Sequence, residues 1–77
     1  MRQKTDTFGV YFYSPYSKLY EWSLISGDLS HCRARFNEKP YLKALILKQK
    51  TVYPKPNMSR EEIIKNYQII QERDKVK

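Results

Sequence analysis

Asn37-Glu38-Lys39-Pro40-Tyr41-Leu42-Lys43-Ala44-Leu45-Ile46-Leu47-Lys48-Gln49-Lys50 is the stretch on which the fold turns. Asn37 is a good helix N-cap, Glu38 suits a first turn, and Pro40 is tolerated there because its missing N–H has no intrahelical partner anyway. Leu42, Ala44, Leu45 and Leu47, with the lysines between and after them, are good helix formers. The same run also fits a strand buried on both faces, through Ala44-Leu45-Ile46-Leu47. The reading adopted is a helix over 38–50, with the strand as the alternative.

On the N-terminal side, Thr7–Tyr13 reads as a strand with Phe8, Val10 and Phe12 on one face and Tyr11 and Tyr13 on the other. Gly9 marks a bulge or a close approach. Ser14-Pro15-Tyr16-Ser17 is turn chemistry. Lys18–Ile25 is a second strand, with Tyr20, Trp22 and Leu24 sharing a face, so the pair predicts an antiparallel hairpin. After the turn Ser26-Gly27-Asp28, Leu29–Phe36 alternates as a third strand, with Cys32, Ala34 and Phe36 inward and His31, Arg33 and Arg35 outward. A short helical turn after Asp28 is also allowed. Met1–Asp6 has no periodicity and is expected to be a flexible leader.

On the C-terminal side, Pro54 and Pro56 make Thr51–Asn57 an extended connector. Ser59 with Glu62 forms a capping box. Ile63, Ile64, Tyr67 and Ile70 then fall on one helical face, which predicts an amphipathic helix lying on Phe8, Val10 and Phe12. Ile69 falls outside that stripe and marks a contact for a second chain, so a homodimer stays open. The basic run from Arg73 to Lys77 suits a helix C-terminus. The expected class is α+β: one small domain over 1–77, with an antiparallel sheet of two to three strands from residues 7–36 covered by the C-terminal helix and a second helix at 38–50.

The charge is uneven. Among 77 residues, 15 Lys and Arg face 8 Asp and Glu, a formal net charge of +7. Arg33, Arg35, Lys39, Lys43, Lys48, Lys50 and Lys55 oppose Glu38 alone in residues 29–57, so this middle third carries +6 of it. Such a concentration attracts polyanions at long range. A single Cys excludes an internal disulfide framework, and one His with one Cys cannot complete a metal site. With no apolar run long enough to span a bilayer, the expected setting is cytoplasmic. His31 and Cys32, adjacent on a strand, would point to opposite faces and form no catalytic pair. Two glycines are too few for a phosphate-cradling loop. No catalytic residue, metal or cofactor is expected.

Tyrosines beside arginines on an open sheet face would stack bases and neutralise phosphates. The leading expectation is therefore a small basic protein that binds nucleic acid, DNA or RNA, through Tyr11, Tyr13, Arg33, Arg35, Lys43, Lys48 and Lys50. The alternative keeps the same stripe but sets it against an acidic protein surface. In that reading the chain is a docking modulator or accessory subunit, such as a virus-encoded inhibitor of a host enzyme.

Gly9-Val10-Tyr11, followed by Leu19-Tyr20, resembles the paired tyrosine motifs of the GIY-YIG nucleases. The resemblance implies an arginine role for Arg33 or Arg35 and a metal-binding role for Glu61 or Glu62. Trp22 stands where that motif closes on glycine, and the spacing between the two motifs is short.

Overall fold

A computed structural model describes residues 6–75. Its elements run β1 (Phe8–Ser14), β2 (Leu19–Ser26), α1 (Leu29–Glu38), β3 (Ala44–Gln49), β4 (Asn57–Met58), α2 (Arg60–Asn66) and β5 (Tyr67–Arg73). The five strands form one sheet in the order β4-β2-β1-β3-β5, antiparallel at every neighbouring pair. The α+β class and the hairpin of β1 with β2 are as the sequence predicts. The leader expected over 1–6 lies, except for Asp6, outside the described residues.

Helix and strand exchange places in the middle of the chain. The third strand expected over Leu29–Phe36 is the helix α1. Asp28 caps it, its carboxylate accepting from the Ser30 backbone N–H at 2.9 Å and the Ser30 hydroxyl at 2.7 Å. Cys32 and Phe36 are buried in both readings, because spacings of four satisfy alternation and a helical stripe alike. Ala34 separates them: a strand would bury it, and it is exposed. Pro40 then ends a helix instead of opening one. It disfavours helical geometry at the residue before it, and Lys39, the C-cap, has φ −128° and ψ 71°.

The helix expected over 38–50 is accordingly corrected to the strand β3. Ala44, Leu45, Ile46 and Leu47 are all fully buried. A surface helix would bury one stripe, whereas a strand covered on both sides buries every residue of a continuous apolar run.

The C-terminal helix is shorter than its periodicity implies. Ser59 does cap α2, with its Oγ accepting from the Glu62 N–H at 3.2 Å. The Glu62 side chain completes no reciprocal box and pairs with Lys55 instead. Asn66 Nδ2 donates back to the Glu62 carbonyl at 3.2 Å, and at Tyr67 the backbone turns extended, with φ −136° and ψ 163°. β5 follows at once and pairs with β3. Adding that strand supplies partners for the backbone groups along β3, which a longer helix could not do.

Packing uses both faces of the sheet. On one, Tyr11, Tyr20, Leu45, Leu47, Met58, Ile63 and Tyr67 form a cluster with Tyr13, Ile25 and Ile69 against it. On the other, Phe8, Val10, Cys32, Phe36, Ala44 and Ile46 pack with Phe12, Leu24, Leu29 and Ile70. α1 covers the second face and α2 the first. Ile63 and Tyr67 therefore lie opposite the Phe8, Val10 and Phe12 face they were expected to cover, and Ile69 is used inside the first cluster. The crossovers β2-α1-β3 and β4-α2-β5 each join strands of the same direction over opposite faces. The first passes over β1 alone and the second over β2, β1 and β3, and the two share one hand.

Gly9 is the close approach its position suggests. A Cβ there would sit 3.0 Å from the Tyr11 ring, 3.1 Å from Ile25 Cδ1 and 3.4 Å from Leu47 Cδ1. The bulge falls across from it on β2: Val10 pairs with Leu24 and Tyr11 with Trp22, leaving Ser23 as the extra residue. Because of that extra residue, Tyr20 and Leu24 do not share a face. Tyr20 packs in the first cluster and Leu24 in the second. Trp22, grouped with Tyr20 by alternation, is 47% exposed.

Candidate functional site

Tyr11 is fully buried, and its hydroxyl donates to the Lys55 carbonyl of the connector between β3 and β4. Tyr67 does the same for the Tyr53 carbonyl at 3.1 Å. The two phenols hold the connector against the sheet, and burial, more than the neighbouring Tyr67 and Tyr53, pushes the Tyr11 phenol far above its ordinary pKa. The expectation that Tyr11 stacks on a ligand is corrected on this ground: the face it occupies is covered by α2 and the connector.

The expected platform of Tyr11, Tyr13, Arg33 and Arg35 on one sheet face does not form. Both arginines belong to α1, which packs on the opposite face. Arg33 is exposed. Arg35 lies 3.5 Å from Glu38 and donates to the Ser23 hydroxyl at 3.4 Å. Tyr13 is half-buried, edge-on to Tyr20 with ring centroids 5.3 Å apart, and Lys43 Nζ lies 5.5 Å from the centre of its ring.

The lysines are divided between the two ends of the sheet. Lys43 precedes Ala44, which pairs with Phe12, whereas Lys48 pairs with Phe8 at the far end of β1. Five steps along the strand separate them, about 16 Å at the usual rise. Lys48 is 3.6 Å from Asp6, and Lys50 is exposed beyond the end of β3. The single basic flank read from the sequence is thus two separate groups, because a strand, unlike a helix, carries its ends far apart.

At the Tyr13 end the β1–β2 turn and the α1–β3 loop border an open groove of about 340 Å³. Phe12, Tyr13, Tyr16, Trp22, Lys39 and Leu42 line it, with Glu21 at the same rim. Tyr16 is 96% exposed on the turn Pro15–Lys18. That turn is held by the Lys18 N–H on the Ser14 carbonyl at 2.7 Å, with Lys18 in the left-handed region at φ 61°. Tyr41, beside Leu42, is 61% exposed. Lys39 Nζ stands 5.9 Å from the centre of the Phe12 ring. Neither Lys39 nor Lys43 forms an ion pair among the described residues, while Glu21 accepts from the Ser17 hydroxyl at 3.1 Å.

Of the predicted residues, Tyr13 lines the groove. Arg35 reaches it through Ser23, Lys43 lies over the Tyr13 ring, and Tyr11, Arg33, Lys48 and Lys50 are left out. Sequence reasoning missed Tyr16, Trp22, Tyr41 and Lys39. The signal for Tyr16 was present: a large aromatic between Pro15 and Ser17, inside a turn, has no strand face on which to be buried.

The arrangement implied by the nuclease resemblance is not assembled. Tyr11 and Tyr20 share the first face, but Arg33 and Arg35 lie across the sheet from them, and Glu62 pairs with Lys55. No group of three or more His, Cys, Asp and Glu side chains is placed to hold a metal ion among the described residues. His31, 3.8 Å from Asp28, is exposed, while Cys32 is sealed under α1. Burial, then the Asp28 charge, pushes the thiol pKa up, which disfavours the nucleophilic thiolate. No helix among the described residues is long and apolar enough to cross a membrane. Compared with family models, with curated proteins and with solved structures, the chain matches none.

Proposed function

We propose that the protein is a nucleic-acid-binding module that works through the groove at the turn end of the sheet. One observation carries the reading: Tyr16, 96% exposed, borders the same groove as Lys39, while the half-exposed Trp22 and Lys43 stand on the other face at the same end of the sheet. Open aromatic faces with cations free to meet phosphate are the two elements that nucleic-acid grooves combine. The net charge of +7 favours encounter with a polyanion over long distances. The role is binding, without a catalytic step.

The test is fluorescence anisotropy with labelled oligonucleotides over a range of salt concentrations. Log affinity falls with log salt, and a Lys39→Ala/Lys43→Ala double variant lowers that slope by about 1.4 for a single strand or about 1.8 for a duplex. An unchanged slope and affinity in the double variant overturns the assignment.

A second reading, docking on a partner protein, draws on the exposed Val52, Tyr53 and Ile64. It predicts that one stoichiometric protein is recovered from lysate on the immobilised chain after nuclease treatment. A Tyr53→Ala/Ile64→Ala variant should lose that protein.

A further inference from the structure

We infer that α1 enters the major groove of double-stranded DNA, with Arg33 and Asn37 on the base edges. This rests on the reading just given and names its ligand. α1 is the outer layer on the second face of the sheet. It buries Cys32 and Phe36, and it leaves Ser30, Arg33, Ala34 and Asn37 exposed, three and four positions apart on one stripe. Arg33 and Asn37, one turn apart, form no side-chain hydrogen bond or ion pair among the described residues. The acids of this segment are engaged, Asp28 in capping the helix and Glu38 in holding Arg35. A guanidinium meets O6 and N7 of guanine with two bonds, and a carboxamide meets N6 and N7 of adenine, patterns displayed in the major groove. Ala34, small and exposed between them, leaves the helix free to approach the groove floor.

The division of the lysines fits the same ligand. Lys39 stands by Phe12 and Lys48 pairs across from Phe8, both on the face that α1 covers. Four steps of β1 separate Phe8 from Phe12, about 13 Å, and the major groove is about 12 Å wide. α1 runs between these ends: it follows Ser26, which pairs with Phe8, and precedes Ala44, which pairs with Phe12. With its ten residues, about 15 Å, in the groove, one lysine falls on each phosphate wall. The solvent-facing contact of Lys48 with Asp6, at 3.6 Å, is weak enough to give way to a phosphate. A single strand has no second wall, and the major groove of an RNA duplex is too deep and narrow for side chains to read.

The test uses the full chain and a pool of DNA duplexes with a randomised centre, bound and amplified over several rounds. The enriched duplex is then compared by anisotropy with its separate strands and with the RNA duplex of the same sequence. A motif containing guanine and adenine is expected, bound more tightly as DNA duplex than in the other forms. Arg33→Ala and Asn37→Ala, which remove exposed side chains and leave the core intact, should each weaken that duplex about fivefold to a hundredfold and relax the preference at one base pair. Lys48→Ala should lower the salt slope by about 0.9. A pool that enriches no motif, strands or RNA bound as tightly as the duplex, parental affinity in Arg33→Ala and Asn37→Ala, or an unchanged slope in Lys48→Ala overturns the inference. The broader reading survives any of these if binding still depends on Lys39 and Lys43. Absence of binding to every probe overturns both.

Discussion

The hydroxyl of Tyr11 is a structural group with a consequence for alkaline stability. Burial raises the pKa of Tyr11 above its ordinary value of 10.0, and burial is also the leading cause of the rise at Tyr20 and Tyr67. The folded chain therefore keeps protons that the unfolded chain gives up near pH 10. Stability from these groups is fully present below about pH 10 and is lost as pH rises above it. In urea titrations across alkaline pH, Tyr11→Phe is expected to cost about 1 kcal/mol near neutrality, through the Lys55 carbonyl left without its donor. It should also reduce the alkaline loss by up to about 1.4 kcal/mol per pH unit. An alkaline limb identical to that of the parent chain would mean that Tyr11 ionises as freely folded as unfolded.

Among the elements, α1 and β5 depend on each other through Arg73. The sequence assigns this residue to the end of a helix, and its guanidinium does serve a helix C-terminus, but that of α1. Its Nε donates to the Leu42 carbonyl at 2.7 Å, and its Nη2 to the Phe36 and Lys39 carbonyls at 3.2 and 2.6 Å. The guanidinium also stands 4.4 Å from the centre of the Phe36 ring. A cation among carbonyls at the negative end of a helix is favourable on both hydrogen-bonding and dipole grounds. Arg73→Ala should cost about 2–3 kcal/mol in urea unfolding and speed amide exchange in the last turn of α1. Arg73→Lys should recover less than half, because an ammonium lacks the planar fork that bridges three carbonyls. A loss no larger than that of an ordinary surface substitution would remove Arg73 from this role.

At the scale of the whole molecule, the sheet is a shared wall between two cores. β3 shows this most directly, since Ile46 belongs to one cluster and Leu47 to the other, both fully buried. Ile46→Ala and Leu47→Ala are each expected to cost about 2–5 kcal/mol in equilibrium denaturation. A sheet with one solvated face would make one of the two nearly neutral, and that outcome would refute the two-sided core. The solvent-facing ion pair of Lys48 with Asp6 adds little beside these terms.

How much of this was legible in the residues follows from the range of the interactions involved. The helix that Asp28 caps reads equally as a strand, whereas β1, β2, the turn at Pro15 and the cap at Ser59 are set by neighbours a few positions away, and the sequence alone determined them. So were the +7 charge and the burial of Cys32 and Phe36, which alternation and helical spacing both demand. The state of Ala44–Gln49, the conversion of the last helix into β5 and the split of the lysines between two ends depended on tertiary structure. An apolar run such as Ala44-Leu45-Ile46-Leu47 satisfies helix and strand alike until something covers its second face. α2 and the connector supply that cover, and β5 supplies the edge partner. Both arrive from residues beyond position 50, outside the reach of any local pattern.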